Sequence, residues 1–421
     1  MMSLTRRLRI MKEPDAPMRW EQLRRQWSDA RVWLHLASEW LAPLRLRYGW
    51  VSYPVVVGLA ARLAQVIVAT FGVRLLAPSA ASSPLDLWYR WDASWYLAIA
   101  KIGYGYSPTS QSSVNFFPLF PLLINLLARP LSIFHVADAQ LLAGMLLAWG
   151  CFIAALVVLY RLALDRWGVR VARGAVALIA AYPFGYFFGA PYTESLYLLL
   201  CGLVFLGIER RWWWLAGVAA MLGSATRSPG LLLGACAVLA YALALWERRI
   251  RLSRDALWLT LSPLGAVAYA WYCAAVFRDP FAYLATSENG WHRGHLRWDG
   301  IASGWDLLLH PGTWLGSNQL KPMLNGTYAV LTVLFLLLLI PIWRRLGPVY
   351  AVVTAASVIV PIATTTSMVS QGRYLSTAFP AFLVMGLLLR DRHGLRDGLI
   401  IAGAIALGLL ATFFALNLEV Y

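Results

Sequence analysis

Charged residues are scarce in this sequence. They make up 13% of its 421 residues, whereas hydrophobic residues make up 60% and the mean hydropathy is +0.61. A soluble domain of this length could not bury so many apolar runs in one core. The composition therefore excludes an ordinary soluble protein and predicts an all-α polytopic membrane protein.

Cysteine and lysine are also rare. Each of the four cysteines lies within an apolar run and has no Cys or His partner at the spacing of a zinc site, which favours neither a disulfide framework nor a metal cluster. Only 3 of the 36 basic residues are lysines. We interpret this arginine bias as genome composition, and it indicates a bacterial plasma-membrane protein.

No apolar signal-peptide core follows the first arginines, so we expect residues 1–50 to be retained. This segment has ten Arg/Lys against five Asp/Glu. Trp20, Leu23, Trp27 and Leu34 recur within it at near-helical spacing, with arginines between them. We predict a basic amphipathic helix on the cytoplasmic leaflet, contacting membrane lipids.

The net charge of +16 does not indicate nucleic-acid binding, because the basic residues form short clusters between apolar runs. If the N-terminus is cytoplasmic and the segment 116–134 does not cross the membrane, all these clusters lie on the cytoplasmic side. That segment contains three prolines, which favours an interfacial or re-entrant element. The pattern predicts about eleven spans within 51–421, with extracytoplasmic loops at 78–137 and 278–325.

The first of these loops contains a carboxylate surrounded by aromatic residues. Asp92 follows Arg90 and Trp91 and precedes Trp95 and Tyr96. Aromatic faces can hold a sugar, and a carboxylate can take a proton from an attacking hydroxyl. We therefore predict that Asp92 is a catalytic base; the alternative is a structural ion pair with Arg90 or Lys101.

Three cations are candidate ligands for a phosphate on the same side of the membrane. Arg227 lies between two apolar runs, where a charge needs a partner such as a lipid phosphate or Glu194. Arg373 either grips a phosphate or extends to the interface. Lys321 is the third candidate. We expect Asp92, Glu194 and these cations to converge on one membrane face.

The loop 278–325 holds the reserve candidates. His292 and Trp298 are predicted to contact substrate, and Asp299 is the reserve base because RWD occurs at both 90–92 and 297–299. A histidine pair flanked by glycines has poor geometry for a metal. We therefore predict no metal and no cofactor.

Four ordered stretches carry a resemblance to a known family. They span Arg90 to Phe382, and the sequence resembles the PIG-V type mannosyltransferases of the GT-C class of membrane glycosyltransferases. The stretches are RWDASWYLAIAKIGYGY with NFFPLFPLL, FFGAPYTESLYLLL, GSATRSPGLLL and QGRYLSTAFPAF.

The resemblance implies a GT-C helix bundle with interfacial helices and transfer of mannose, with inversion, from a polyprenyl-phosphate donor to an extracytoplasmic lipid, glycan or protein acceptor. The alternatives are a secondary transporter, although no internal repeat is evident, and a lipid-linked glycan flippase. The predicted substrate-binding residues are Arg90, Trp91, Trp95, Tyr96, Tyr192, Glu194, His292, Trp298, Asp299 and Tyr374.

Overall fold

The computed structural model describes residues 49–78, 83–293 and 296–420. The chain divides into two compact units, Met1–Tyr53 and Pro54–Tyr421. Of the first unit, only the start of one helix is described, so the prediction for 1–50 lies almost entirely outside the described residues. The candidate site lies in the second unit.

The described ranges are helical and contain no β-strand. The described ranges contain four 3₁₀ segments: Asp86–Trp88, Ser113–Asn115, Gly185–Phe188 and Arg254–Leu261. The last two precede α6 and α9. The α-helices are α1 (Gly49–Leu76), α2 (Asp92–Ile102), α3 (Leu119–Ile133), α4 (Ala139–Trp167), α5 (Val169–Ala180), α6 (Glu194–Arg210), α7 (Trp213–Ser224), α8 (Gly230–Trp246), α9 (Leu264–Phe277), α10 (Ala282–Asn289), α11 (Asp299–Leu309), α12 (Gly312–Leu315), α13 (Leu320–Arg345), α14 (Pro348–Ala363), α15 (Gln371–Ser376), α16 (Phe379–Leu388) and α17 (His393–Ala415).

Five helical segments of the described chain are long and apolar enough to cross a bilayer: Gly49–Leu76, Ala139–Trp167, Arg254–Phe277, Leu320–Arg345 and His393–Ala415. Their length and composition, with the all-helical architecture, confirm the prediction of an integral membrane protein. The count of about eleven spans stays a prediction.

The centre of the bundle is built from α4, α5, α6, α7 and α16. Helix α6 packs against α4 and α7, and α16 packs against α5. The last pair approaches closely: a Cβ added at Gly386 would lie 2.8 Å from the main-chain nitrogen of Ala175. Small residues allow this approach, which is how helices associate in a membrane.

The basic clusters meet at one end of this bundle. Arg166, at the end of α4, donates from Nη1 to Oε1 of Glu209 at 3.0 Å and from Nη2 to the main-chain oxygen of Arg345 at 3.5 Å. Arg170 and Asp391 approach to 3.9 Å. Because α6 and α13 end here, their first residues lie at the opposite end.

The predicted loops are themselves largely helical. Helices α2 and α3 fall within 78–137, and α10 to α12 fall within 278–325. Helix α3 covers most of the segment 116–134 and is about 22 Å long, shorter than the roughly 30 Å hydrocarbon core. That this segment does not cross the membrane stays a prediction.

Candidate active site

Asp92 is the first residue of α2, and the backbone just before it is strained. Trp91, the preceding residue, has φ 51° and ψ −122°, a conformation that L-residues rarely adopt. Strain of this kind persists where the surrounding structure enforces it. The Trp91 conformation sets the direction in which the chain enters α2 at Asp92. The Asp92 side chain is 26% exposed.

Two arginines and two carboxylates form one network. Arg373 donates from Nη1 to Oδ2 of Asp92 and from Nε to Oε1 of Glu194, both at 2.5 Å. Arg227 donates from Nη1 to the same Oε1 of Glu194 at 2.9 Å. The three elements that bring these residues together are α2, the start of α6 and α15, with the turn after α7 supplying Arg227.

Glu194 lies at the centre of this network. It is fully buried, and its Oε2 has no hydrogen-bond partner among the described residues. Its position at the first turn of α6 is favourable for a carboxylate because the helix dipole is positive there. Glu194 therefore orients Arg227 and Arg373, and in this structure it does not face the cavity.

Aromatic rings support both guanidinium groups. The Arg373 guanidinium lies 4.8 Å from the ring centroid of Tyr192 and 5.3 Å from that of Phe187. The Arg227 guanidinium lies 5.3 Å from the rings of both Tyr197 and Tyr374. These cation–π contacts restrict the rotamers of both arginines in a partly desolvated setting.

A cavity of about 330 Å³ adjoins the network. Five of the predicted site residues line it: Asp92, Tyr96, Arg227, Arg373 and Tyr374. Its other polar lining includes Asn115, Thr193, Ser287, Arg293 and Thr364. The mixture of cations, one exposed carboxylate and hydroxyl or amide groups suits a sugar that carries a phosphate.

The electrostatics of the cavity are dominated by cations. Burial disfavours the Tyr374 phenolate, yet the positive charges of Arg293, Arg227 and Arg373 lower the pKa of Tyr374. At Tyr96, burial outweighs the neighbouring positive charge of Arg373 and raises the pKa of the phenol. The local field around Tyr374 therefore favours a bound anion.

Several predicted substrate ligands support the site instead of lining it. Arg90 donates from Nε and Nη2 to the main-chain oxygen of Ala415, at 3.2 and 3.1 Å, and so caps the end of α17. Tyr192, 1% exposed, donates to the Arg90 main-chain oxygen at 3.1 Å. Trp95 stacks on Phe116, with ring centroids 5.7 Å apart.

Other predicted residues lie apart from the cavity. Lys321 is at the same end of the bundle as the site but pairs with Glu419, with Nζ and Oε2 3.2 Å apart. Trp298 is 69% exposed, and Asp299 begins α11. His292 is exposed at φ 53°, next to the lining residue Arg293.

The sequence reasoning did not assign a role to Arg293. Its Nη1 donates to the Tyr374 hydroxyl at 3.2 Å, and its backbone nitrogen donates to the Ser287 main-chain oxygen at 2.7 Å. The contact joins residues 81 positions apart. Its only sequence signal is that it is one of four basic residues in the loop 278–325, which has four acidic residues as well.

An apolar groove continues from the cavity towards the side of the bundle. It has a volume of about 270 Å³ and shares Arg227, Pro229, Val360 and Tyr374 with the cavity. Leu232 of α8 and Ala356 and Ser357 of α14 line its outer part. The neighbouring Leu231 and Ile359 are exposed, so the groove borders the lipid-facing surface.

The fold is that of the GT-C membrane glycosyltransferases. ArnT from Cupriavidus metallidurans, whose crystal structure contains undecaprenyl phosphate, superposes with a TM-score of 0.52 at 15% sequence identity. The match covers 88% of this chain and 72% of the ArnT chain. The prediction of an all-α GT-C helix bundle is confirmed.

Residues 64–243 match the model of the mannosyltransferase (PIG-V) family, which confirms the resemblance. Asp92, Glu194 and Arg227 lie within the matched range, and Arg373 lies beyond it. GPI alpha-1,6-mannosyltransferase 2 of Cricetulus griseus and that of Rattus norvegicus are each 33% identical to this chain over 147 residues. The match covers 34% of this chain and 29% of the length of each relative.

Proposed function

We propose that the chain is a glycosyltransferase that moves a hexose from a polyprenyl phosphate to an extracytoplasmic acceptor with inversion. The hexose that we propose is mannose. One observation carries the proposal: Arg373 joins Asp92 to Glu194 beside a cation-lined cavity. The match to the mannosyltransferase (PIG-V) family supports the choice of sugar.

The donor phosphate would bind to Arg227, Arg293 and Arg373. A guanidinium has five N–H donors. Arg373 uses two of its own on the carboxylates, and Arg227 uses one on Glu194, so both retain donors for phosphate oxygens. Planar, charge-assisted donors suit a phosphate, and the pairing with Glu194 prevents the cations from moving to other partners.

Asp92 would act as the base. The acceptor hydroxyl oxygen attacks C1 of the sugar, Asp92 accepts the hydroxyl proton, and the C1–O bond to the phosphate breaks. The bonding electron pair leaves with the polyprenyl phosphate, where the arginines stabilise the added negative charge. A single displacement inverts the configuration at C1. A positioned base contributes about 10²- to 10⁴-fold to the rate, and fixed charges around the leaving group contribute further.

The prenyl chain of the donor would follow the apolar groove past Pro229 and Leu232 to the lipid. The groove begins at Arg227, so a phosphate held there leads directly into it. ArnT, with the same fold, was solved with undecaprenyl phosphate bound, which supports a lipid donor. The acceptor is a lipid, a glycan or a protein.

We further propose that the arginine-rich end of the bundle is cytoplasmic, which places the site outside. The native cysteines are all buried, so a single added cysteine can report its own side. In intact cells, an impermeant maleimide should label Ser317→Cys but not Arg211→Cys until the membrane is permeabilised. The reverse labelling would overturn the orientation.

Transfer itself is tested with purified chain in liposomes containing polyprenyl-phosphate [¹⁴C]mannose and a membrane extract as the acceptor source. We expect label to leave the donor and enter a new product, whose solubility and protease sensitivity identify the acceptor class. If the labelled donor instead crosses the bilayer chemically unchanged, the transport or flippase alternative replaces the proposal.

A further inference from the structure

A buried arginine lies in the first apolar helix and does not line the cavity of the proposed site. Arg62 of α1 is 0% exposed, and Gln65, one turn later, is 2% exposed. Among the described residues, Arg62 has no carboxylate partner, and its Nε and Nη2 have no hydrogen-bond partner. A charge in such a position is costly, which favours a functional reason for it.

The bonds that Arg62 and Gln65 do make lead to one segment, residues 185–193. Nη1 of Arg62 donates to the main-chain oxygen of Gly185 at 2.6 Å and also to Oε1 of Gln65. Nε2 of Gln65 donates to the main-chain oxygen of Tyr186 at 3.0 Å. The Arg62 guanidinium also lies 4.6 Å from the ring centroid of Phe152.

The segment 185–193 has a backbone that needs such donors. It is fully buried and, apart from one 3₁₀ turn, irregular. Irregular backbone within a membrane protein is tolerated only where the protein supplies hydrogen-bond partners. A Cβ at Gly189 would come within 2.5 Å of the Gln65 amide, so the amide rests directly against the loop.

The same segment contacts the guanidinium of Arg373. The Phe187 and Tyr192 rings lie beneath the Arg373 guanidinium. The next residue after the segment is Glu194, whose Oε1 accepts from both Arg373 and Arg227. A shift of 185–193 would therefore displace the carboxylate and the rings that orient both proposed phosphate ligands.

We infer that Arg62 and Gln65 are positioning residues that fix segment 185–193 through its carbonyl groups and thereby hold Arg227 and Arg373 in place to bind the donor phosphate. The inference rests on the proposed function. An arginine suits this position because its planar guanidinium donates both to the main-chain oxygen of Gly185 and to the amide oxygen of Gln65. A shift of about 1 Å at a reacting group can lower a rate about 100-fold.

The test separates positioning from structural support. Arg62→Met and Gln65→Leu keep the approximate side-chain volume and remove the donors, and Arg62→Lys keeps the charge and one donor to Gly185. Arg74→Met is the matched control, because Arg74 is an exposed residue of the same helix. Each full-length variant is purified in detergent, and its thermal midpoint and its affinity for radiolabelled undecaprenyl phosphate are measured.

We expect Arg62→Met to keep a thermal midpoint close to that of wild type, because the loss of a buried unpaired charge offsets the loss of the donors to segment 185–193, and yet to weaken undecaprenyl phosphate binding about tenfold or more. Gln65→Leu should weaken binding in the same direction, Arg62→Lys should retain part of the affinity, and Arg74→Met should bind as wild type. Loss of binding in proportion to loss of thermal stability would mean a structural role only.

One further variant separates this inference from the proposed function. If Arg227→Gln weakens undecaprenyl phosphate binding while Arg62→Met and Gln65→Leu leave it unchanged, the positioning role is overturned and the phosphate site stands. If Arg227→Gln leaves binding unchanged, the phosphate site itself is wrong, and the inference falls with it.

Discussion

The guanidinium of Arg373 donates to the carboxylate of Asp92 at 2.5 Å although 281 residues separate them in the chain. The contact links the residue proposed to accept a proton with one proposed to hold the leaving phosphate. It also joins α2 to α15, so the two halves of the chain complete one site.

The buried carboxylate of Glu194 is expected to be required for full transfer activity. In Glu194→Gln the amide keeps the shape of the side chain but leaves Arg227 and Arg373 without their shared negative charge. We expect transfer to fall about 100-fold or more. Breaking a buried pair from one side should also destabilise the fold by about 3 kcal/mol, measured by thermal unfolding.

Glu209→Gln is the matched control for that variant. Glu209 pairs with Arg166 at the opposite end of α6, and its side chain is 36% exposed. Removing the charge there should cost below about 1 kcal/mol and leave transfer unchanged. Equal effects of the two substitutions would argue against a special role for Glu194.

Arg293 is expected to bind the donor phosphate. Arg293→Gln removes one positive charge from the cavity, and a hydrogen bond to a charged group contributes about 1.5–3 kcal/mol. Undecaprenyl phosphate affinity should therefore fall about tenfold or more, measured by direct binding. Arg297→Gln, a neighbour that does not line the cavity, should retain wild-type affinity; an unchanged Kd in Arg293→Gln would remove this residue from the site.

The groove beside Arg227 should discriminate donors by chain length. Leu232→Trp fills the groove, so we expect KM for undecaprenyl-phosphate mannose to rise about tenfold or more, since overpacking an apolar site costs about 1–3 kcal/mol. A donor with a methyl group in place of the prenyl chain would not reach this point and should be used as by wild type.

Leu231→Trp is the control for the groove, because Leu231 is 46% exposed on the same helix and does not line the groove. If this neighbour raised KM as much as Leu232→Trp, the effect would be one of helix packing. If Leu232→Trp affected the methyl donor equally, the prenyl chain would follow another route.

Much of the site could be read from local sequence because its members carry local signals. Asp92 stands among aromatic residues, and Arg227 is an isolated charge between apolar runs. The distribution of basic clusters between the loops also predicted that Asp92, Glu194, Arg227 and Arg373 would lie on one membrane face. In the structure these four residues form one network.

The remaining features depend on contacts that no local pattern encodes. The orientation of Glu194 towards the arginines depends on hydrogen bonds from α15 and from the turn after α7, both distant from it in the chain. Arg90 donates to the main-chain oxygen of Ala415 at the end of α17, 325 residues away. Lys321 forms an ion pair with Glu419. Arg62 and Gln65, at i and i+3 in an apolar run, are a signal that sequence reasoning could have used, but their target at 185–193 required the fold.

The central claim is that Asp92 takes the proton of the acceptor hydroxyl, and the most direct measurement is transfer of labelled mannose from polyprenyl-phosphate mannose by Asp92→Asn. The account predicts a loss of about 10²- to 10⁴-fold with undecaprenyl phosphate binding retained within a few-fold, while Asp299→Asn transfers as wild type. Transfer by Asp92→Asn at the wild-type rate, or a loss seen only in Asp299→Asn, would contradict it.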